Sequence, residues 1–260
     1  MNLLFKKSGR LTDLAPVWQK LTNETVKKVA RRLLGERMAG SIDYYYHPER
    51  RSGFGGPFNG QAIRLRIFEA IIARAQPVAI IETGTHVGTT TEFMAGTGLP
   101  VYTIEGNPRF YGFARARLWW KANVKLRQGD SREQLRNLFE GQLAGLANAR
   151  LFFYLDAHWN DDLPLAEEID LIFSRSSNAV VMIDDFEVPD DPGFGYDYYG
   201  PGKALNAEYI AASAKTHSLA IFYPSASSQE ETGRRRGCVV LCKTAVLGSE
   251  LQAISLLRRA

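Results

Sequence analysis

The sequence has little of what marks secreted, thiolate-metal or membrane-spanning proteins. It contains only two cysteines in 260 residues, Cys238 and Cys242. Both lie in the apolar stretch Cys-Val-Val-Leu-Cys, where the two-residue period of a β-strand directs them to one face. We therefore expect two core residues, and neither a disulfide nor a metal site. No stretch reaches the roughly 20 apolar residues of a membrane-spanning helix.

A signal-peptide core is also missing. Charged residues interrupt the first 14 positions before an apolar segment of sufficient length forms; they are Lys6, Lys7, Arg10 and Asp13. We expect a cytoplasmic protein. With 260 residues, 45% of them hydrophobic, the chain is long enough for one α/β domain with additions.

The net charge of +4 raises the question of nucleic acid. Much of the excess lies in two clusters, Lys27-Lys28 with Arg31-Arg32 and Arg234-Arg235-Arg236. Neither is interleaved with aromatic residues in a known binding motif. We expect solvated faces and no nucleic-acid partner, although the first cluster could contact anionic lipid or another subunit.

The most informative motif spans residues 78–92. An apolar, branched run at 78–81 predicts a strand buried on both faces, and Glu82 follows it at the end where open α/β sheets bind ligands. Gly84 and Gly88 let the next residues turn sharply and approach a ligand. The spacing lacks the middle glycine that admits a pyrophosphate in dinucleotide sites. The motif favours a nucleotide-type cofactor without phosphates.

A second predicted strand, residues 101–104, ends in Glu105 and Gly106. This acid lies about 20 residues after the first, where such folds bind ribose hydroxyls. Two acids suit a ribose and an ammonium group. Each motif also has a simpler interpretation: any α/β protein can carry a glycine-rich turn, and Glu105 could be a helix-capping or solvated acid.

At these residues the chain resembles the class I S-adenosylmethionine-dependent methyltransferases, whose first motif is acid-x-Gly-x-x-x-Gly and whose second strand ends in a ribose-binding acid. The resemblance implies a methyltransferase with a Rossmann-like, doubly wound α/β fold, in which a mostly parallel seven-stranded sheet has its last strand antiparallel. It also implies the residues that bind S-adenosylmethionine: Glu82, Gly84, Thr85, Gly88 and Thr89 around the methionine part, Glu105 and Gly106 at the ribose, and Asp130 and Ser131 in the adenine-side loop. The Asn-Pro-Pro-Tyr motif of base-modifying relatives is absent.

Two later strand patterns also end in acids. Residues 151–155 precede Asp156, and residues 179–183 precede Asp184 and Asp185. Parallel strands would bring these carboxylates to the sheet edge that carries the cofactor motif, where they repel one another unless a cation neutralises them. An all-oxygen set suits Mg²⁺ or Ca²⁺ better than zinc. We predict all three as metal ligands; alternatively, they cap helices or begin a solvated loop.

This part of the chain resembles the metal-dependent O-methyltransferases of the catechol and macrolide-sugar types. Leu-Asp-Ala-His-Trp is similar to the catechol type's Leu-Asp-His-Trp, and 184 − 156 = 28 residues separate the acids. Asn160 stands where the catechol type has its general-base lysine, and Asp185 replaces its asparagine, so the sugar enzymes are the better analogy. The resemblance implies Mg²⁺-assisted methyl transfer to a hydroxyl of a small molecule or sugar.

Because that lysine is missing, His158 is the predicted general base, with Asp156 beside it in the catalytic set. An ordinary histidine pKa of about 6.5 lets the ring accept a hydroxyl proton near neutrality. Alternatively, His158 is a hydrogen-bonded structural residue. In the predicted mechanism two substrate oxygens chelate Mg²⁺, and His158 takes the proton of the reacting one.

The chain divides into a predicted N-terminal helical extension with a glycine-rich loop, residues 1–54, and a predicted methyltransferase domain, residues 55–260. Residues 14–39 have a helical period that predicts one or two helices, which could join copies into a homo-oligomer. The glycine-rich residues 51–61 either fold over the cofactor, with Asn59 or Gln61 at its carboxylate, or form a plain loop. The aromatic loop 189–203 is either a substrate lid or a packed loop.

Two other functions remain open. One is a different reaction on the same scaffold, such as hydroxylation, because a fold does not determine a function. The other is a cofactor-binding interaction protein without turnover, whose acids cap helices and whose N-terminal helices form the interface. A nicotinamide-dependent dehydrogenase agrees least with the glycine spacing.

Overall fold

A computed structural model describes residues 24–158 and 162–260. They form one eight-stranded sheet whose order is β3-β2-β1-β4-β5-β7-β6-β8. The strands are β1 (Ala79–Thr83), β2 (Val101–Glu105), β3 (Val124–Gln128), β4 (Leu151–Leu155), β5 (Ala179–Ile183), β6 (Leu219–Pro224), β7 (Val239–Lys243) and β8 (Leu257–Arg259).

Strands β1 to β5 pair in parallel, while β7 lies antiparallel between β5 and β6. The predicted seven-stranded sheet with an inserted antiparallel strand is therefore confirmed in β1–β7. The short strand β8 adds an eighth, antiparallel to β6 at the sheet edge, which the sequence did not indicate.

Eight helices connect or flank these strands in the described part of the chain. They are α1 (Glu24–Tyr46), α2 (Ala62–Ala75), α3 (Thr89–Ala95), α4 (Pro108–Leu118), α5 (Ser131–Glu140), α6 (Leu165–Arg175), α7 (Ala207–Thr216) and α8 (Thr244–Gln252). Short 3-10 helices lie at Pro48–Ser52, Pro57–Gly60 and Ala144–Leu146. None of the helices within residues 24–158 and 162–260 is long and apolar enough to cross a membrane.

The core lies on both faces of the sheet. Every residue of the central strands β1, β4 and β5 is buried. Alternation along β4 sends Phe153 into the cluster on one face and Phe152 into the cluster on the other. Cys238 and Cys242 are buried free thiols in the second cluster, which confirms their assignment to the core.

Helix α1 crosses α4 at very short range. A Cβ atom added at Gly40 would lie 1.8 Å from the carbonyl oxygen of Arg109, and one at Gly112 would lie 1.9 Å from that of Arg37. Both positions therefore require glycine. The helix kinks at Gly35 (φ 74°, ψ 156°), where two helical segments meet.

These observations bear on the predicted N-terminal extension. The predicted helical stretch 14–39 is seen from residue 24 onward and continues to residue 46; residues 14–23 lie outside the described residues. The predicted boundary at residue 54 falls in the loop between the first two 3-10 helices. The division into domains stays a prediction.

Candidate functional site

A cleft of about 650 Å³ opens at the carboxyl ends of β1, β2, β4 and β5. This is the edge of an open α/β sheet at which ligands bind. Most of the predicted site residues line it: Glu82, Gly84, Thr85, Thr89, Glu105, Gly106, Asp130, Ser131, Asp156, His158 and Asp185. Gly88 and Asp184 are not among its lining residues.

Glu82 lies within β1 rather than after it, and its side chain is buried at the base of the cleft. Its Oε2 accepts hydrogen bonds from the hydroxyls of Thr91 and Thr103, at 2.5 and 2.6 Å. Burial raises the pKa of Glu82 to about 7, against the opposing effect of the two hydroxyls. The residue ties β1 to β2 and α3, and one face of its carboxyl group borders the cleft.

Glu105 connects the end of β2 to the glycine turn. Its carboxylate accepts the backbone N–H groups of His86, at 2.6 Å, and Asn107, at 2.7 Å. Burial raises the pKa of Glu105 to about 7. Positively charged or hydroxyl-bearing ligand groups in the cleft would favour the ionised form of both acids.

The structure shows why glycine is needed at positions 84 and 88, for reasons that the sequence did not indicate. A Cβ atom on Gly84 (φ 90°) would lie 2.2 Å from the backbone oxygen of Asp156, so this glycine admits a neighbouring chain segment rather than a ligand. Gly88 (φ 74°) starts α3 in the left-handed conformation that favours glycine. A Cβ atom added at Gly88 would lie 3.2 Å from Leu118 Cδ1 and 3.4 Å from Arg117 Cδ.

The other predicted cofactor residues fix the rim of the cleft. The hydroxyl of Thr85 lies 2.5 Å from that of Thr103. Asp130 caps α5 by accepting the N–H groups of Arg132 and Glu133, at 3.0 and 3.3 Å. The Arg132 guanidinium, 2.7 Å from Asp130, holds the pKa of that carboxyl below its usual range. The amino end of α5 therefore borders the cleft with Ser131.

Asp156, His158 and Asp185 form a cluster on the opposite side. Each offers one possible ligand atom, and these atoms lie within 4.8 Å of one another. His158 Nε2 is 3.7 Å from Asp156 Oδ1. The Asp156 side chain is 34% exposed and borders the cleft. Burial, with the nearby Asp185 and Glu82 charges, raises the pKa of Asp156 well above its ordinary value.

The His158 ring is buried, and neither nitrogen has a hydrogen-bond partner among the described residues. Burial lowers the pKa of His158, while the charges of Asp185 and Asp197 oppose that change. The ring is therefore a neutral imidazole at pH 7, next to two carboxylates. Unpaired buried nitrogens are rare in proteins and indicate a missing partner.

Asp184 has a different environment from its neighbour. Its carboxylate forms a buried ion pair with Arg64. It also accepts the Tyr154 hydroxyl at 2.5 Å, the Asn59 side-chain amide at 3.2 Å and the Asp185 N–H at 2.7 Å. The protein thus engages both oxygens of Asp184. The three residues that cluster in the structure are Asp156, His158 and Asp185, whereas the predicted metal set contained Asp184 and not His158.

Arg236 supplies a cation to the acid cluster. Its Nε donates to Asp185 Oδ1 at 2.7 Å, and its guanidinium pairs with Asp197. The expectation of a solvated arginine cluster is therefore wrong for Arg236, which lines the cleft together with Arg234. The other basic cluster, Lys27 to Arg32, lies where the structure does not describe side chains. The sequence predicted a cation that neutralises the clustered acids, and Arg236 provides part of that positive charge.

The turn that carries these arginines is built onto the glycine-rich loop. The Glu231 carboxylate accepts the N–H groups of Ile63 and Arg64 at the start of α2, at 2.9 and 3.0 Å. Gln61 and Arg236 exchange two hydrogen bonds, at 2.8 and 2.9 Å. Gln61, one of the two residues considered for the cofactor carboxylate, thus binds the protein backbone.

The aromatic loop 189–203 is packed onto the acid cluster. The Tyr199 hydroxyl lies 2.5 Å from Asp197 Oδ2 and 3.1 Å from the His158 carbonyl oxygen. The Asp197 N–H donates to the Asp185 carbonyl at 2.9 Å, and Phe194 is buried. These contacts support the packed-loop alternative over a mobile lid.

A stack of rings borders the cofactor side of the cleft. The rings of Phe54 and His86 are parallel within 5°, with centroids 5.2 Å apart. Phe110 meets His86 edge-on at 4.3 Å, and the Arg234 guanidinium lies 4.1 Å from the centre of the Phe54 ring. Burial lowers the pKa of His86 to about 4. The glycine-rich loop therefore covers part of the cleft.

Sequence reasoning missed several residues that line the cleft. Phe54, Phe110, Arg234, Arg236 and Asp197 come from loops or helix starts without a motif. Their signals in the sequence were indirect: Phe54 and Asp197 lie in the glycine-rich and aromatic loops, and Arg234 and Arg236 belong to the arginine cluster that was expected to be solvated. The general-base position at Asn160 lies outside the described residues.

The fold of this chain is similar to the folds of several solved structures. No family model and no curated protein matches the sequence. A "putative O-methyltransferase" from Klebsiella pneumoniae is 16% identical, with a TM-score of 0.50 over 84% of this chain and 96% of its own. An O-methyltransferase from Bacillus cereus in complex with SAH is 15% identical, with a TM-score of 0.49 over 84% and 97%. The N-terminal domain of EvdMO1, determined with SAH and D-fucose, is 14% identical, with a TM-score of 0.44 over 70% and 82%.

The first of these structures aligns with almost the whole of its own length. At 16% identity, this likeness concerns the fold. Together with the strand order, it confirms the predicted fold class. The chain has a Rossmann-like fold that is similar to the fold of the Klebsiella pneumoniae protein.

Proposed function

We propose that this protein is an S-adenosylmethionine-dependent O-methyltransferase that acts on a hydroxyl group of a small molecule or sugar. One observation carries the proposal: the two acids expected to bind the cofactor, Glu82 and Glu105, share a single cleft with Asp156, His158 and Asp185. Cofactor-binding and proton-accepting groups are thereby within reach of one bound pair of substrates.

The cofactor side suits a nucleoside without phosphates. Three carboxyl groups lie on this side, those of Glu82, Glu105 and Asp130, with Glu105 available to ribose hydroxyls and Glu82 near the methionine part. Asp130 and Ser131 border the adenine side. When bound, S-adenosylmethionine supplies an activated methyl group, so the main task of the protein is to position the acceptor.

His158 is the proposed general base. Burial keeps its ring neutral, and its nitrogens are free of partners among the described residues. It takes the proton of the acceptor hydroxyl, and Asp156, 3.7 Å from Nε2, stabilises the imidazolium that forms. Asp185 and Arg236 complete the polar wall on this side.

A divalent cation fits the same cluster, and we propose Mg²⁺ there. The Asp156 side chain accepts no hydrogen bond from the described residues, and Asp185 keeps one oxygen free of Arg236. These two carboxylates would hold the ion, which would lower the pKa of the acceptor hydroxyl. We leave Asp184 out of this set because the protein engages both of its oxygens. With an imidazole so close, Mn²⁺ is a second ion to test.

Formation of S-adenosylhomocysteine from S-adenosylmethionine tests the activity, with a panel of phenols and sugars in Mg²⁺, Mn²⁺ or EDTA. In the wild-type protein we expect turnover that depends on the acceptor and responds to the metal. In Asp156→Asn we expect turnover to lose its response to the metal, while the affinity for S-adenosylmethionine persists. Asp170→Asn is the matched control, because Asp170 is a surface carboxylate that pairs with His217. Cofactor binding without turnover of any acceptor would instead favour the non-catalytic interaction protein.

A further inference from the structure

We propose that Arg234 forms a subsite at the rim of the cleft for an anionic group of the acceptor, a carboxylate or a phosphate. The subsite rests on the proposed function, because it concerns the second substrate of that reaction. It narrows the acceptor from any hydroxyl compound to one that carries a negative charge away from its reacting hydroxyl.

The first ground is an unneutralised charge. Two arginines line the cleft, and the Arg236 guanidinium is paired with Asp185 and Asp197. Arg234, two residues earlier, has no carboxylate within ion-pair distance among residues 24–158 and 162–260. Its guanidinium lies only over the Phe54 ring. A guanidinium stacked on one face keeps its N–H edge available for two parallel hydrogen bonds to a carboxylate or phosphate.

The second ground is a rigid mounting. The Arg234 N–H donates to the Asn59 carbonyl at 3.2 Å, and the Thr232 hydroxyl donates to the Gly60 carbonyl at 2.9 Å. A Cβ atom on Gly233 would lie 2.4 Å from the Asn59 carbonyl oxygen, so the two loops are in direct backbone contact. Because these contacts hold the backbone of Arg234 in place, less conformational entropy is lost when its side chain binds an anion.

The ring stack fixes the orientation of the guanidinium. Phe54 lies flat on His86, which in turn contacts Phe110 on α4. Because burial keeps His86 uncharged at pH 7, no second cation in the stack repels Arg234. The outer face and edge of Arg234 remain exposed to the cleft and solvent.

The third ground is the distribution of charge along the cleft. The wall around His158 carries the carboxylates Asp156 and Asp185, and the rim carries the free cation. An anionic group bound at Arg234 has a cation beside it and no carboxylate of the described residues within ion-pair distance, whereas at the wall around His158 it faces Asp156 and Asp185 when no metal is bound. This difference favours an acceptor with its anionic end at Arg234 and its hydroxyl at His158.

Matched ligand pairs test the subsite in the complex with S-adenosylhomocysteine. Calorimetry compares 3,4-dihydroxybenzoate with 3,4-dihydroxybenzamide, and glucose 6-phosphate with glucose, which separates a carboxylate from a phosphate. We expect one anionic member to bind at least about 10-fold more tightly than its neutral partner. Arg234→Gln should remove the preference. Arg235→Gln is the control, because Arg235 is exposed and is absent from the cleft lining.

Each contrary result has a distinct meaning. Equal binding of both members of both pairs, or a preference that survives Arg234→Gln, would overturn the subsite. A loss of S-adenosylhomocysteine affinity of about 10-fold in Arg234→Gln would overturn it as well, because it would assign the guanidinium to the cofactor. If the wild-type protein binds no S-adenosylhomocysteine, the proposed function fails; intact cofactor binding without an anion preference removes the subsite alone.

Discussion

His158 shows how burial selects a protonation state. The ring is enclosed by protein, and desolvation disfavours its charged form more than the neighbouring Asp185 and Asp197 favour it. A general base must be deprotonated before it can act, so a lowered pKa keeps the active form populated throughout the neutral range. Among the described residues, the two buried ring nitrogens have no hydrogen-bond partner, so neither lone pair nor N–H is committed to the protein.

This environment predicts a pH profile. With S-adenosylmethionine saturating, which favours the ionised forms of Glu82 and Glu105, kcat should fall as the pH drops through the lowered pKa of His158 and should be level above pH 6.5, the ordinary histidine value. His158→Gln should lower kcat by about 10²- to 10⁴-fold and abolish the acidic limb. Steady-state kinetics between pH 5 and 8 measure both effects.

The matched control for that profile is His217→Gln. His217 lies at the end of α7 and pairs with Asp170, outside the cleft lining. It should leave the profile unchanged. An acidic limb that persists in His158→Gln would assign the proton transfer to another group.

At the scale of elements, the crossing of α1 and α4 is the tightest helix contact that the glycines reveal. Gly40 and Gly112 each face the backbone of the other helix, so that a single methyl group has no space. In contrast to a side-chain contact, a backbone contact cannot relax by a rotamer change. The crossing fixes α1 against the helix that begins just after Glu105 and thereby supports the cofactor side of the cleft.

Gly112→Ala should therefore destabilise the protein by at least about 2 kcal/mol, in the range of overpacked cores. Urea denaturation followed by circular dichroism measures the change. Gly145→Ala is the control, because nothing lies within 4 Å of its added Cβ atom. Equal stability of the two variants would contradict the close crossing.

The strands and their acids could be predicted because their signals are local. An apolar run followed by a carboxylate needs no knowledge of distant residues, and β4 and β5 begin and end where the sequence indicates. The partners of those acids could not be predicted. Asp184 and Arg64 are 120 residues apart, and no local pattern states that α2 directs an arginine to the end of β5. The predicted metal set was drawn from the ends of two strands expected to be neighbours, while the structure groups Asp156 and Asp185 with His158.

At the scale of the whole molecule, the cleft is closed by two loops far apart in the chain. The glycine-rich loop and the turn at residues 231–236 are joined by Glu231, Gln61 and Arg234. The number of core strands and the antiparallel direction of the last one followed from a family resemblance, whereas neither a motif nor a period indicated the eighth strand. The contact between these two loops exists only in the folded chain, and no local sequence pattern indicates it. For this reason the sequence predicted a solvated arginine turn.

The central claim is that this cleft binds S-adenosylmethionine. Isothermal titration calorimetry with S-adenosylhomocysteine tests it most directly, with NAD as the comparison ligand. Glu105→Gln tests the ribose acid, and Glu140→Gln, an exposed carboxylate at the end of α5, is its control. We predict one site per chain, affinity at least about 10-fold weaker in Glu105→Gln but unchanged in Glu140→Gln, and no binding of NAD. Absence of binding by S-adenosylhomocysteine and S-adenosylmethionine to the folded wild-type protein would contradict the account.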